Sequence, residues 1–458
     1  MSSTSVYSQD GVRLLEGLDP LRRVDLTADL MSGSTVLVPA GTSVTARPRT
    51  VNEYDAGRPT DGTATIKGVV TKTLTSAQVR EHPTAQGETL AVQSVYDWVK
   101  GMKTQSIKDP AGLALTTTTE YDSDGRMTRQ IQPGGTASSA STRVTTYWAA
   151  TGTGTCKGRP EWAGLLCSTG PGGAITGGGS NPNQVPVTTS EYNWWGSVAK
   201  VTESANGVTR TTTTTYDDAP RPTKIAISGA TGQAVPDMTI EYNSASGRET
   251  KTTTAGGSVT KPFDKLGRQI SYTDADGGAT TTEYDLLDRP VKKADNVPAT
   301  TTYTYNHTTE PRGLPTATTD SVAGTFQATY NADGLPGGYT LNATVDPAGS
   351  ATQRTYTRDG DGIQVYADTM TRSILGQAAS HSGWSNQKYQ YDKTGRLTEV
   401  EDTSETVCTR RTYGFDSRTN RTSKTTAASA PGADCQGGGT TVNAAYDSAD
   451  RLVDAGYT

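Results

Sequence analysis

The sequence predicts an all-β chain, an array of antiparallel β-hairpins forming a curved, spiralling sheet. Three observations lead there: a tyrosine–aspartate signature closed by Gly-Arg returns along the chain, its central copies keep a fixed spacing, and β-branched runs precede it. The signature stands at Tyr121-Asp122-Ser123-Asp124-Gly125-Arg126, Tyr242-Asn243-Ser244-Ala245-Ser246-Gly247-Arg248 and Tyr391-Asp392-Lys393-Thr394-Gly395-Arg396. It varies at Tyr54-Asp55-Ala56-Gly57-Arg58, Phe263-Asp264-Lys265-Leu266-Gly267-Arg268, Tyr284-Asp285-Leu286-Leu287-Asp288-Arg289, Tyr330-Asn331-Ala332-Asp333-Gly334-Leu335 and Tyr446-Asp447-Ser448-Ala449-Asp450-Arg451. Tyr242, Phe263, Tyr284 and Tyr305 are each 21 residues apart. A period of that size marks a stacked array in which no unit buries its surface alone.

One repeat reads as one hairpin. Thr280-Thr281-Thr282-Glu283-Tyr284 and Thr300-Thr301-Thr302-Tyr303-Thr304-Tyr305 are β-branched and alternating, which favours strands. After the tyrosine, Asp or Asn accepts a bond from the backbone two residues on, and glycine three places later suits the end of a type I turn. Arg396-Leu397-Thr398-Glu399-Val400 then alternates again as the return strand. Two strands of roughly seven residues and two turns account for a unit of about twenty. Links such as Asp274-Ala275-Asp276-Gly277-Gly278 and Asp295-Asn296-Val297-Pro298 lay the hairpins side by side. A sheet of that many twisted strands must curl.

Composition agrees. Only 32% of the 458 residues are hydrophobic, with 3 Phe against 21 Tyr, so a solid core is under-supplied. Disorder is not implied, because 50 Gly and 22 Pro fall below the roughly 25–30% of low-complexity chains, and a net charge of −5 does not oppose compaction. The expected sheet is wetted on much of both faces, with tyrosine rings stacking and their hydroxyls reaching water or backbone. The 42 basic and 47 acidic residues form no basic stripe, which argues against nucleic acid. No run is long enough for a membrane span, and no signal peptide is visible in residues 1–20.

Two domains are expected: a weakly patterned lead-in over residues 1–48 with a short helical turn, and the hairpin array over 49–458. Inserts are expected at about 149–186 and 422–439. The final residues Leu452-Val453-Asp454-Ala455-Gly456-Tyr457-Thr458 stop where another turn should follow, and truncation is the simplest account of such an uncapped edge. Of the three connectivities open to the four cysteines, local pairing of Cys156 with Cys167 and Cys408 with Cys435 is favoured, because short loops meet most often. The alternatives are free buried thiols in a reducing compartment and, less favoured, zinc.

Asp122 with Arg126 and Asp392 with Arg396 have acid–base composition, but both sit on turns where a capping Asp and a surface Arg belong. Gly152-Thr153-Gly154-Thr155-Cys156-Lys157-Gly158 lacks the ending of a phosphate loop and reads as a flexible insert. With no Gly-x-Ser-x-Gly elbow, and only His82, His307 and His381 for histidines, a nucleophilic triad is disfavoured. No catalytic residue, cofactor or metal is therefore expected. Trp194, Trp195 and Trp384 are candidate glycan contacts, against packing between neighbouring hairpins. Placed on a strand, Trp194 and Trp195 would face opposite sides.

The Thr-rich leads into Tyr-Asp-x-x-Gly-Arg, the segment Cys156-Lys157-Gly158-Arg159-Pro160-Glu161-Trp162-Ala163-Gly164-Leu165-Leu166-Cys167, and Tyr413-Gly414-Phe415-Asp416-Ser417-Arg418-Thr419-Asn420-Arg421 together resemble the Rhs or YD-repeat family. That family comprises shells of bacterial polymorphic toxins, insecticidal toxin complexes and teneurins, and the last two segments look like the large secreted actinobacterial members. The resemblance covers residues 49–458. It implies a hollow β-cocoon enclosing a C-terminal toxin, a secreted or cell-surface location, and partnership with the remainder of the shell and that toxin. The family's self-cleaving Asp-Pro-x-Gly region is matched locally by Asp109-Pro110-Ala111-Gly112 and Asp346-Pro347-Ala348-Gly349, but both lie inside the array and read as turns. The leading expectation is a non-enzymatic shell segment; the alternative is a carbohydrate-binding or adhesive surface module.

Overall fold

Threonine-rich runs form several of the strands that lead into the signatures, as at Val208–Tyr216, Ala279–Tyr284 and Thr300–Thr304. In the computed structural model the described residues are 3–453 apart from 86, 178–183, 230–233, 297–298, 331–333, 335, 343–350, 356, 360–361, 365–368 and 384. Nearly all their regular structure is antiparallel strand, with one 3-10 turn at Pro160–Trp162. The chain forms the expected hairpin array.

The signature turn is closed by a bulge. Gly125 N donates to Asp122 O at 3.2 Å, and Asp122 N to Arg126 O at 3.0 Å. The register slips by one residue between Glu120 and Tyr121. Such a bulge needs its last turn residue in the left-handed region, and Gly125 has φ +78°. Asp288 and Asp450 hold the same position at φ +62°, and Thr419 at +73°. The turn geometry thus persists where glycine is absent.

The chain divides into two compact units, residues 1–188 with 366–458, and residues 189–365. In the first, Thr4–Tyr7 pairs with Leu14–Leu18, which pairs with the long strand Ser43–Tyr54. From there Val70–Val79, Leu90–Asp97, Met102–Lys108, Leu115–Tyr121 and Met127–Ile131 add in order. A separate sheet runs in chain order from Thr369–Arg372 to Thr440–Asn443. In the second unit each hairpin pairs with the next from Val198–Ala205 through Gly324–Tyr330.

The lead-in differs from expectation. Residues 4–38 form five short strands, and the expected helical turn does not occur among the described residues. Apolar residues there alternate with polar ones, as in Val24 and Leu26, which suits a half-buried strand. The boundary expected near Arg49 falls inside Ser43–Tyr54. The lead-in also supplies the hydrophobic core of the first unit. Val24, Leu26, Leu30, Ala46, Ala77 and Val79 are at most 5% exposed and enclose Ile374, at 1%, from the C-terminal sheet. The expected insert spans contain regular structure: Leu166–Pro171 is a strand inside 149–186, and the strand Arg421–Ala428 runs into 422–439.

Ile374 is the fully buried side chain that the C-terminal part adds to that cluster, with Leu375 partly buried against it, so truncating it should unsettle both parts of the first unit. Ile374→Ala is expected to cost about 2–5 kcal/mol, and native-state hydrogen exchange should show the loss in residues 22–46 as well as 369–382. A loss confined to 369–382 would contradict the coupling.

Candidate functional site

The signature residues converge on one recurring arrangement. The aspartate directly after each aromatic accepts from its own turn: Asp264 Oδ1 takes the N–H groups of Leu266 at 2.9 Å and Arg268 at 3.0 Å, while Oδ2 takes Arg268 Nε at 2.7 Å. The same set recurs at Asp122–Arg126, Asp217–Arg221, Asp285–Arg289, Asp392–Arg396 and Asp447–Arg451, with closest ion-pair distances of 2.6–2.8 Å.

The fixed guanidinium then lies over the aromatic ring of the following repeat. Arg289 sits 4.1 Å from the Tyr305 ring centre, Arg221 4.5 Å from Tyr242, Arg396 4.5 Å from Phe415, Arg126 4.8 Å from Tyr147 and Arg268 4.9 Å from Tyr284. The tyrosine reaches back in turn. Tyr242 Oη donates to Pro222 O at 2.9 Å, Tyr284 to Gln269 O at 2.8 Å and Tyr305 to Pro290 O at 2.9 Å. Each carbonyl belongs to the residue after the arginine or its equivalent in the preceding turn. One clasp therefore joins consecutive repeats through an ion pair, a cation–π contact and a hydrogen bond. On the opposite sheet face, the residue before the tyrosine pairs across the strand, as in Glu241–Lys251 at 2.9 Å and Glu283–Lys292 at 3.1 Å.

The hydrogen bonds shape the titration. The backbone N–H of Arg268, with help from its guanidinium, holds the Asp264 carboxyl below its ordinary value against the opposing effect of burial. Asp122 is lowered in the same way, and Asp217 chiefly by the Arg221 side chain. Burial pushes Asp285, Asp392 and Asp447 upward, but hydrogen bonds outweigh it and all three end lower, the bonds coming chiefly from Arg289 at Asp285, from the Thr394 hydroxyl and then Arg396 at Asp392, and from Arg451 at Asp447.

Most predicted signature residues fall into this arrangement, with two departures among the described residues. Arg58 leaves the turn at Tyr54 and donates to Ile66 O at 2.9 Å, while Arg13 pairs with Asp55 at 3.4 Å. Asn243 opens a longer turn, and Arg248 stacks on Phe263 at 5.4 Å without an Asp partner in its own turn. Asn331, Ala332, Asp333 and Leu335 lie outside the described residues, as do Trp384 and the Asp346 segment.

Sequence reasoning missed several repeats. Tyr192-Asn193-Trp194-Trp195-Gly196-Ser197 is one: Asn193 Oδ1 accepts from Trp195 N at 3.0 Å and Ser197 N at 2.9 Å. Trp194 and Trp195 therefore sit on a turn tip, not a strand, and both are exposed, at 90% and 51%. Packing between hairpins is ruled out for Trp194. Tyr216-Asp217 through Arg221 is a second missed repeat, and its Tyr-Asp-x-x-x-Arg spacing could have been found. Arg372-Ser373-Ile374-Leu375-Gly376-Gln377 is a third, carrying neither Tyr nor Asp, yet Ser373 Oγ accepts from Leu375 N and Gln377 N as the carboxylates do.

The structure joins Cys156 to Cys167 and Cys408 to Cys435. The first bridge closes a packed knot in which the Trp148 and Trp162 rings meet edge-on at 4.9 Å and Arg159 covers Trp162. Asp109 is on a turn, its Oδ2 accepting from Leu113 N at 2.8 Å. A cleft of about 900 Å³ beside Tyr96 and Trp98 has mainly apolar walls, and its charged residues, Glu53 and Lys72, pair with each other at 3.0 Å. Among the described residues no group of His, Cys, Asp and Glu is placed to hold a metal ion, and no helix is long and apolar enough to cross a membrane.

Comparison with known proteins gives the same repeat. The RHS Repeat family model matches residues 263–296, which hold one whole clasp, Asp264–Arg268 on Tyr284, and the Asp285–Arg289 pair of the next. The crystal structure of TcdB2-TccC3 aligns over 98% of this chain and 25% of its own, at 14% identity and a TM-score of 0.55. That of TcdB2-TccC3-TEV aligns over 98% and 23%, at 16% identity and 0.51. The chain thus spans about a quarter of the length of these solved chains and shares their fold. No curated protein matches it in sequence.

Two outcomes test the clasp. A double-mutant cycle of Arg289→Ala and Tyr305→Leu, read by hydrogen exchange over residues 285–305, should give a coupling of about 1 kcal/mol; additive effects would place the two side chains out of contact. The lowered carboxyls contribute stability that is fully present above the unfolded value near 3.9 and is lost as pH falls through their lower folded values. Melting temperature should therefore hold from pH 7 to about 5 and drop below about 4. Asp264→Asn should lower the plateau and lessen the drop, and a melting temperature indifferent to acid would contradict the assignment.

Proposed function

This chain being an Rhs/YD-repeat protein, we propose that it is a non-enzymatic wall segment of a larger shell, one that encloses or presents an effector attached at the C-terminal side. The observation that carries the reading is the clasp. Its aspartates accept on both carboxylate oxygens and its arginines are held between carboxylate and ring, so the groups that might act as acid, base or anion binder are engaged in holding one hairpin to the next.

Confinement is the mechanism in this reading. A wall with cross-strand Glu–Lys pairs and threonine hydroxyls on its faces offers an enclosed chain little apolar surface on which to complete its own fold. The wall can stay thin because its rigidity comes from edge-to-edge contacts and not from a filled core. Two disulfides support an oxidising, secreted or cell-surface setting.

The test uses the complete polypeptide encoded by the reading frame that contains these residues. Its C-terminal segment should resist trypsin while the array is folded and become cleavable when Arg268→Ala and Arg289→Ala loosen adjacent clasps. Cleavage at the rate of the isolated segment, with the array's β circular dichroism intact, would remove the enclosing role.

A further inference from the structure

Within the first unit, the turns 392–396 and 416–420 of the C-terminal sheet and the strands around Met102–Lys108 enclose a cavity of about 320 Å³. The turns abut the main sheet closely. A Cβ on Gly134, just past the strand Met127–Ile131, would lie 2.8 Å from Ser417 Oγ. Strand register sets the floor: Lys108 pairs with Leu115 and Ser106 with Thr117, so these four share one face. Gln132, one residue past the pair Ile131–Thr118, continues that face. The roof is formed by Thr394, Arg396, Phe415 and Thr419.

The floor is rich in uncommitted donors. Among the described residues the Lys108 ammonium and the hydroxyls of Ser106 and Thr117 bond to nothing, and no Asp or Glu lines the cavity. Arg396 is matched by Asp392 at 2.7 Å, yet its Nη1 is buried without an acceptor. Lys108 has no such match, because Asp109 bonds within its own turn to Leu113 N. The cavity therefore carries surplus positive charge, and a concave site of one sign concentrates ions of the other. Two acceptors accompany the donors. The Gln132 amide donates through Nε2 to Gln130 Oε1 at 3.4 Å, and the Thr394 hydroxyl donates to Asp392 Oδ1 at 2.7 Å, so each keeps an oxygen able to accept. Leu115, Pro133 and the Phe415 ring supply apolar wall.

We propose that this cavity binds a small oxyanion carried on a hydroxylated body, the chemistry shared by sugar acids and sugar phosphates. Lys108 takes the charge, while Ser106 and Thr117 donate to the oxyanion. A bare anion only accepts and would leave Gln132 and Thr394 unanswered; hydroxyls on the ligand answer both. Size agrees. Small-molecule sites run from about 300 to 1,000 Å³, so this one takes a single small molecule. Its floor and roof belong to different sheets of the first unit, so occupancy ties one to the other and stabilises the fold by mass action.

Isothermal titration calorimetry of the 458-residue chain tests the site, with glucuronate, glucose 6-phosphate, inorganic phosphate and glucose as probes. At least one of the two charged sugars should bind more tightly than inorganic phosphate and raise the melting temperature, while glucose gives no heat. Which of the two binds tells a carboxylate from a phosphate. Lys108→Ala should weaken binding about tenfold or more, and so should Ser106→Ala with Thr117→Val, with circular dichroism unchanged. Lys103→Ala removes a cation from the opposite face of the same strand and should leave binding unaltered. Binding of neither charged sugar would overturn the proposal. So would glucose binding as well as they do, inorganic phosphate binding as tightly, or an equal loss on Lys103→Ala.

Discussion

Stability in this array turns on what each signature arginine touches. At Arg126, Arg221, Arg268, Arg289 and Arg396 the guanidinium is held by the aspartate of its own turn and covers the aromatic ring of the next, so a local feature of one hairpin becomes the interface to its neighbour. Arginine suits the position because its planar fork bonds a carboxylate in plane while its face stacks on a ring. Lysine could do the first but not the second. Exposed ion pairs by themselves contribute little; the value of the aspartate lies in fixing the arginine where the ring can use it. In a repeat array, stability is the sum of such nearest-neighbour contacts.

The clasp propagates along the sheet but does not fix one stretch of sheet against another. That requires contacts between residues distant in sequence, and the first unit has two kinds. One is the cluster of Val24, Leu26, Leu30, Ala46, Ala77, Val79 and Ile374; the other is polar, with Arg418 Nη1 donating to Ser141 Oγ and Ser448 O at 3.1 Å. Both are made by turn tips. The same turn that closes a hairpin through its Asx and glycine presents its two middle residues outward, which leaves those two free to specify what lies beyond.

The array was legible because its signals are local. Threonine runs, Tyr-Asp and the 21-residue spacing each report a strand, a turn or a unit length, and the hairpins follow from them. The disulfides were legible for a similar reason, since each pairs cysteines close in sequence. The clasp was not, although the residues of several copies stand out in the sequence. Arg289 and Tyr305 lie in different repeats, and only the strand register brings the guanidinium over the ring. The lead-in was misread because its strands are three to five residues long, too short for a period to show, and the partner that buries them lies at Ile374.

Trp194 and Ile374 show why the tips resist reading from sequence alone. Their turns have the same backbone bonds and the same Asx-type acceptor, yet Trp194 is 90% exposed and Ile374 1%. The hydrogen bonds that close the two turns do not distinguish a buried tip from a bare one. The difference is set by whether another stretch of the array passes overhead. A signature therefore has two layers of meaning. Tyr, Asp, Gly and Arg encode the wall and repeat because every hairpin has the same neighbour geometry, while the two residues between Asx and glycine vary because each tip meets a different surface. Arg372-Ser373-Ile374-Leu375-Gly376-Gln377 carries this furthest: it has lost tyrosine, aspartate and arginine, keeps the turn through Ser373 and Gly376, and is anchored by its tip instead of a clasp.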